Sequence, residues 1–161
     1  MSTAKYSIGI DLGTTHSVLS YVELADENAQ VQLFAMPQLT NFGTVADKSQ
    51  LPSFIYQAHD DEVQSQQMPL PWSESNEKLV GSVARNLGLK TPIRLVSSAK
   101  SWLSHATVNP HDKILPFSSP NEVTKISPVT ATSEYLQHIA AAWDHANPDA
   151  VIAEQDVTIT I

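Results

Sequence analysis

The chain has 161 residues, of which 42% are hydrophobic, so it is long enough to bury a core and is not a disordered segment. Nine Lys and Arg residues stand against 17 Asp and Glu, and this formal net charge of -8 argues against nucleic acid or an anionic membrane as a partner. The lack of cysteine excludes disulfides, thiolate zinc sites and cysteine nucleophiles, and because neither a secretory signal nor a long apolar run is visible we expect a soluble cytoplasmic protein.

The first third of the chain carries short apolar runs that are typical of β-strands. Residues 5–12 and 16–24 are rich in Ile, Val, Leu and Tyr, and the break between them at 13–15 reads Gly-Thr-Thr. Two such runs around a short break that contains glycine predict a β-hairpin. The segments that follow are predicted to be a strand over 31–36, a polar loop over 38–50 and a strand over 51–56.

The middle of the chain is less regular. Residues 57–78 are rich in Gln, Asp, Glu, Ser and Pro and have no sustained period, which favours a solvated loop or the tip of a long hairpin. Strand character returns at 79–81, and a short helix over 82–87 is expected to end at Gly88.

Two amphipathic helices are predicted in the second half. The first begins near Pro92 and carries Lys100 at the edge of its apolar face. That face consists of Leu95, Val96, Ala99, Trp102 and Leu103. The second helix presents Leu136, Ile139, Ala140 and Trp143 and is stopped by Asn147 and Pro148.

Two further segments complete the second half. Residues 104–128 contain several prolines and little periodicity, so we expect them to be irregular. Residues 156–161 predict a final strand. Because a domain seldom ends inside an apolar strand, we expect the chain to be truncated at this point.

The strongest functional signal lies in the break of the predicted hairpin. Gly13 can take a positive φ and lets the backbone approach a ligand closely, so successive N–H groups can point at a phosphate. Thr14 and Thr15 add hydroxyl donors. Asp11 is placed to hold Mg²⁺ through water, since Mg²⁺ prefers one or two carboxylates together with waters and phosphate oxygens. An ordinary hairpin turn is the alternative explanation for an isolated Asp-Leu-Gly.

The ten residues at 8–17 read Ile-Gly-Ile-Asp-Leu-Gly-Thr-Thr-His-Ser. This string resembles the first phosphate motif of the actin, sugar-kinase and heat-shock-chaperone superfamily, and most closely that of the heat shock protein 70 (DnaK-type) chaperones. Three later segments resemble that family in the same order and over nearly the whole chain. They are the Leu-Pro-Ser-Phe-Ile run at 51–55, the Leu-Val-Gly run at 79–81 and the Ser-Ala-Lys-Ser-Trp-Leu run at 98–103.

The resemblance implies roles for particular residues. It implies that Asp11, Leu12, Gly13, Thr14, Thr15 and the backbone of His16 bind ATP or ADP, with Asp11 organising magnesium. It assigns catalysis to Lys100, beside the γ-phosphate, and to Thr14. Without the resemblance, Lys100 is an ordinary lysine whose stem lies along an amphipathic helix. Ser101, where the family usually carries arginine, and His16, where it carries asparagine or tyrosine, indicate a divergent bacterial member.

The resemblance also implies the architecture and the partners. We expect an α/β fold that forms the first lobe of an actin-like, ribonuclease H-like ATPase domain. Residues 1–50 and 126–161 would form its base and residues 51–125 an inserted upper subdomain. The parent protein would be an ATP-hydrolysing chaperone that binds unfolded peptides, a J-domain cochaperone and a nucleotide-exchange factor, and we expect this piece alone to be inactive.

Two other functions remain open at this point. A sugar or polyol kinase would share nearly the same strand-turn-strand motif but would require a polar sugar pocket soon after the hairpin. A bacterial actin-like filament protein would lack the long segment that is assigned to the upper subdomain.

Other polar residues are interpreted as structural. The six histidines show no HExxH pattern and have no cysteine partners, and His138 and His145 are expected on a wetted helix face. The acidic run at 60–62 is interpreted as solvated charge. Trp72 is expected to pack against its own loop.

Overall fold

A computed structural model describes residues 4–64, 66–72 and 78–161. The strands are β1 Tyr6–Leu12, β2 His16–Glu23, β3 Gln32–Leu33, β4 Met36–Asn41, β5 Thr44–Lys48, β6 Leu51–Pro52, β7 Ile55–Tyr56, β8 Leu79–Val80, β9 Leu95–Val96 and β10 Asp156–Thr160. The α-helices are α1 Asp60–Val63, α2 Ser82–Lys90, α3 Ala99–Leu103 and α4 Pro128–Ala146. Single turns of 3-10 helix lie at Pro92–Arg94 and Ile152–Glu154.

The largest sheet is built around the predicted hairpin. β1 pairs antiparallel with β2 on one side and parallel with β10 on the other, while β3 and β6 both pair with β2. Alternate residues of β1, namely Ile8, Ile10 and Leu12, are buried, so one face of the sheet carries the core. The hairpin and the final strand are therefore confirmed.

Helix α4 contributes to the core that covers this face. It begins where the Ser127 hydroxyl accepts the Thr130 N–H at 3.0 Å, with Pro128 in the first turn. Trp143 is 1% exposed and packs edge to face against Tyr6 and Tyr21. This helix confirms the second amphipathic segment, although it begins well before the first of the apolar residues that predicted it.

A second core cluster lies around β4, β5 and α2. It contains Leu39, Tyr56, Met68, Leu79, Val83 and Ala84. The predicted loop at 38–50 is wrong, because most of it belongs to the antiparallel β4–β5 hairpin with Gly43 at φ 73° in the turn. Its polar composition misled the prediction, since even the buried Gln38 is hydrogen-bonded, donating to the Gln50 carbonyl at 2.8 Å and accepting from the Ser82 hydroxyl at 3.0 Å.

The first predicted amphipathic helix is also partly wrong. Pro92–Arg94 is a single 3-10 turn, Leu95 and Val96 form β9, which pairs with β7, and the α-helix covers only Ala99–Leu103. Gly88 does not end the preceding helix, which continues to Lys90. A Cβ at Gly88 would overlap the Leu95 side chain, so this glycine permits close packing of α2 against β9.

The long polar segment is only partly a loop. Its acidic run at 60–62 forms the first turn of α1, where the Glu62 carboxylate accepts the Tyr56 hydroxyl at 2.9 Å. Residues 65 and 73–77 of the predicted loop lie outside the described residues.

Trp72 and His138 meet on the surface of α4. The Trp72 ring packs edge to face on the His138 ring at 5.1 Å, so Trp72 does not pack within its own loop alone. His138 is 8% exposed, and its Nε2 donates to the Pro37 carbonyl at 3.0 Å. The prediction of a wetted histidine face is therefore wrong for His138, and burial lowers its pKa to about 4.

The architecture is a mixed α/β fold with several sheets. The division into a base and an inserted subdomain stays a prediction. Among the described residues, no helix is both long enough and apolar enough to cross a membrane.

Candidate functional site

The turn between β1 and β2 presents the residues of the predicted phosphate motif. Leu12 is buried at the end of β1, and His16 begins β2, while Thr14 and Thr15 between them are exposed. The His16 Nδ1 lies 3.2 Å from the Thr15 hydroxyl oxygen. The turn therefore displays two exposed threonines at the end of the β1–β2 hairpin.

Gly13 is required in this turn, but not for the predicted reason. The glycines with positive φ in the described part of the chain are Gly43 and Gly81, so the positive φ expected at Gly13 is wrong. A Cβ at Gly13 would instead overlap the main-chain carbonyl oxygen of His16. Glycine at this position permits the two sides of the turn to approach each other closely.

Ser53 braces the turn from behind. Its hydroxyl donates to the Gly13 carbonyl at 2.9 Å, and its main-chain N–H donates to the Thr15 carbonyl at 2.8 Å. The same hydroxyl lies 3.4 Å from that of Ser17. With these carbonyls engaged on the inner side, the turn is held in one conformation.

Tyr135 of α4 anchors this brace to the core. Its hydroxyl donates to the Ser53 carbonyl at 3.0 Å, and the residue is 2% exposed. Burial raises the pKa of the Tyr135 phenol, so the hydroxyl stays protonated and able to donate. The turn is thereby connected to the longest helix through one serine.

Asp11 lies beside the turn with its side chain exposed. Its Oδ1 accepts the Thr160 hydroxyl at 3.4 Å from the neighbouring strand β10. Among the described residues no group of three or more His, Cys, Asp and Glu side chains could hold a metal ion. A single exposed carboxylate fits Mg²⁺ held through water, because Mg²⁺ retains several waters and takes phosphate oxygens as further ligands.

Lys100 lies on α3 and is half-buried. Within the described residues it forms no ion pair with a carboxylate, and none of the hydrogen bonds joins it to the turn. Its neighbour Ala99, and not Lys100 itself, belongs to the buried cluster that contains Leu12. Ser98, which precedes α3, has a left-handed backbone with φ 53° and ψ 29°.

A cavity of about 370 Å³ opens next to the turn. His16 lines it on the hairpin side, Asp47 and Lys48 at the end of β5, and Ser82 and Arg85 on α2. The predicted site residues thus lie in two places. Asp11 and the turn residues lie together, beside this cavity, whereas Lys100 lies on α3.

Sequence reasoning missed several residues that shape this site. Ser53 belongs to a family-like strand but has no functional signal of its own in the sequence, and the hydroxyl donors Tyr135 and Thr160 are distant in sequence from the turn. Lys48 and Arg85 carried no motif. The pairing of β6 with β2 brings Ser53 to the turn, and the pairing of β10 with β1 brings Thr160 beside Asp11.

No family model matches this chain. A search of curated proteins likewise finds no match. The protein is therefore classified by its own fold and candidate site. It is a mixed α/β protein with an exposed glycine-threonine turn that Ser53 braces.

Proposed function

We propose that this chain is the phosphate-binding part of the nucleotide-binding domain of an ATP-hydrolysing chaperone of the heat shock protein 70 type. The observation that carries this proposal is the turn at 12–16, which is exposed outward and braced inward by Ser53. The finer fold, the first lobe of an actin-like ATPase domain, is part of the same proposal. Two features of the main sheet support this finer fold. β1 is antiparallel to β2 and parallel to β10, and α4 lies between β2 and β10 in the sequence.

The turn supplies the contacts that a phosphate needs. A phosphate oxygen accepts from main-chain N–H groups and from hydroxyls, and the exposed residues Thr14 and Thr15 offer both. Because the carbonyls of Gly13 and Thr15 are bonded to Ser53, they are directed away from such a ligand. We assign the β- and γ-phosphates of ATP to this turn, with the backbone of His16 contributing.

Asp11 is the magnesium residue of the proposal. Its carboxylate is exposed beside the turn and would hold Mg²⁺ through water, which neutralises charge on the phosphates. The Thr160 hydroxyl lies 3.4 Å from the Asp11 Oδ1 and 3.5 Å from the Ile10 carbonyl oxygen. ATP, ADP and magnesium are accordingly the proposed cofactors.

Lys100 is the proposed catalytic cation, and Thr14 is the second residue to which we assign catalysis. Residues held in sparsely populated backbone conformations cluster at active sites, and the left-handed Ser98 lies two positions before Lys100. An ammonium group beside the γ-phosphate stabilises the charge that develops as the phosphoryl group departs. Unfolded peptides, a J-domain cochaperone and a nucleotide-exchange factor are the partners proposed for the complete gene product.

The test is a titration of the ¹⁵N-labelled chain with Mg²⁺ and ATP, followed by NMR. We expect the amide signals of Gly13, Thr14 and Thr15 to shift in a saturable, magnesium-dependent manner. Asp11→Asn should weaken the magnesium dependence, because the amide keeps the shape but loses the charge. Asp112→Asn, which removes the same charge from an exposed carboxylate away from the turn, is the control. Turn signals that do not move at millimolar MgATP would refute the proposal.

A further inference from the structure

The cavity beside the turn has an unusual content of positive charge. Lys48 and Arg85 line it together with His16, and both Lys48 and Arg85 are half-buried. The chain has only nine Lys and Arg residues against 17 Asp and Glu. Two of the nine therefore share one cavity in a protein whose net charge is strongly negative.

Neither cation has a partner among the described residues. Elsewhere in the chain Lys78 pairs with Glu134, and Arg94 donates to the Gln57 carbonyl at 2.9 Å. The side chains of Lys48 and Arg85 make no such hydrogen bond or ion pair within the described ranges, although Asp47 lines the same cavity. Half-buried cations without partners favour an anionic ligand, because the anion replaces part of the hydration that burial has removed.

The α2 wall adds two features that suit an anion. The helix begins at Ser82, with no side chain capping its first N–H groups, and it directs Arg85 into the cavity one turn later. The Ser82 hydroxyl is occupied by Gln38 at 3.0 Å, so Arg85 is the side-chain donor that α2 offers to the cavity. Arg85 lines the same cavity as His16, the residue that closes the phosphate turn.

We propose that this cavity is a second oxyanion subsite, in which Lys48 and Arg85 bind a phosphate group of a phosphorylated small molecule. That this ligand is the nucleotide bound at the turn rests on the proposed function. That the cavity binds a phosphate group does not depend on it. Asp47 limits the affinity of the subsite, since its carboxylate repels the same anion.

Inorganic pyrophosphate is the probe, titrated into the ¹⁵N-labelled chain at low ionic strength. We expect saturable shifts of the amide signals of Ser49, Ser82 and Arg85. Lys48→Gln and Arg85→Gln should each weaken the binding measured at these signals about fivefold to tenfold. Arg85→Lys, which keeps the charge, should cost less than Arg85→Gln, and Asp47→Asn should strengthen binding about threefold.

Lys90→Gln is the matched control, because it removes one exposed cation from the other end of α2. We expect it to change the affinity less than twofold. An equal loss in Lys90→Gln and Arg85→Gln would overturn the subsite, since the effect would then be one of net charge. Weaker binding in Asp47→Asn would also overturn it, because removing a repelling carboxylate beside a directly bound anion should not weaken the binding.

The subsite and the proposed function fail in different ways. Shifts at Thr14 and Thr15 with MgATP, but none at the cavity with pyrophosphate, would overturn the subsite and leave the proposed function standing. Shifts at the cavity without any at the turn would support the subsite and refute the nucleotide assignment. Circular dichroism of each variant confirms that the fold is intact before affinities are compared.

Discussion

The side-chain hydroxyl of Ser53 donates a hydrogen bond of 2.9 Å to the main-chain carbonyl of Gly13, which lies 40 residues earlier in the chain. Ser53 is 2% exposed, so this bond is shielded from water. The conformation of the candidate phosphate turn is therefore set by a residue outside the turn.

Ser53→Ala should destabilise the protein by about 1 to 2 kcal/mol, because the Gly13 carbonyl loses its donor. The free energy of unfolding in urea measures this. Ser118→Ala, at an exposed position, is the control and should change stability by less than about 0.5 kcal/mol. Equal stability of Ser53→Ala and the wild type would mean that the brace does not hold the turn.

Tyr135→Phe should cost about 1 to 3 kcal/mol, since the buried Ser53 carbonyl is left without the Tyr135 hydroxyl. Tyr21→Phe is a matched control. Its hydroxyl donates to Gln32 at 3.0 Å at an exposed place, so water replaces the lost bond and the cost should be near zero. Similar unfolding midpoints for both variants would contradict the anchoring role of Tyr135.

Gly13→Ala should destabilise the chain by about 2 kcal/mol, because the added Cβ overlaps the His16 carbonyl and the hairpin must distort. Gly9→Ala on β1, the strand that leads into the turn, serves for comparison, as its Cβ meets only the Ser20 hydroxyl oxygen at 3.1 Å. Thermal unfolding of the two variants gives the difference. Gly13→Ala should also reduce the MgATP-dependent shifts at Thr14 and Thr15.

The buried His138 makes stability depend on pH. Its folded pKa of about 4 lies below the ordinary value of 6.5, so between these values the unfolded chain binds a proton that the folded chain does not. Stability should fall as the pH is lowered from 6.5 to 4, by about 1.4 kcal/mol per pH unit from this residue. Urea unfolding from pH 7 to pH 4.5 measures the slope.

His138→Gln should reduce that slope, and His145→Gln, which replaces an exposed histidine on the same helix, is the control variant. Glu134, one turn earlier on α4, pairs with Lys78 and is present in both variants. A slope that is the same in His138→Gln and in the wild type would assign the pH dependence to other groups.

Under the proposed function, in which this chain is part of an ATPase, Lys100→Ala should lower the rate of ATP hydrolysis by that ATPase about a hundredfold to a thousandfold, while much of the ATP affinity remains. The reason is that a cation beside the γ-phosphate stabilises the transition state more than the ground state. Single-turnover hydrolysis and equilibrium binding separate the two effects. An unaltered rate would mean that Lys100 is an ordinary lysine on an amphipathic helix, and it would favour the kinase or filament alternatives.

The short-range features of the site were predictable, and the long-range ones were not. The hairpin around Gly13 follows from two apolar runs and a glycine, all of which lie within about 20 residues of sequence. The burial of His138 depends on Pro37 and Trp72, which are distant in sequence, so periodicity alone could not indicate it. The strand at Leu95 and Val96 was mistaken for helix because apolar spacing in so short a segment fits both structures, and only pairing with Ile55 and Tyr56 decides between them.

The sequence by itself determined the strand-turn-strand at the N-terminus, the helix that includes Trp143 and the exposed glycine-threonine motif, because each depends on local propensity and spacing. Only the tertiary structure decided which residues brace and surround that motif. Ser53, Tyr135 and Thr160 reach the turn through strand pairing and helix packing, and Lys48 and Arg85 share a cavity because the β4–β5 hairpin packs against α2. Such contacts join residues that no local pattern relates, since they depend on how separate elements bury their apolar faces together.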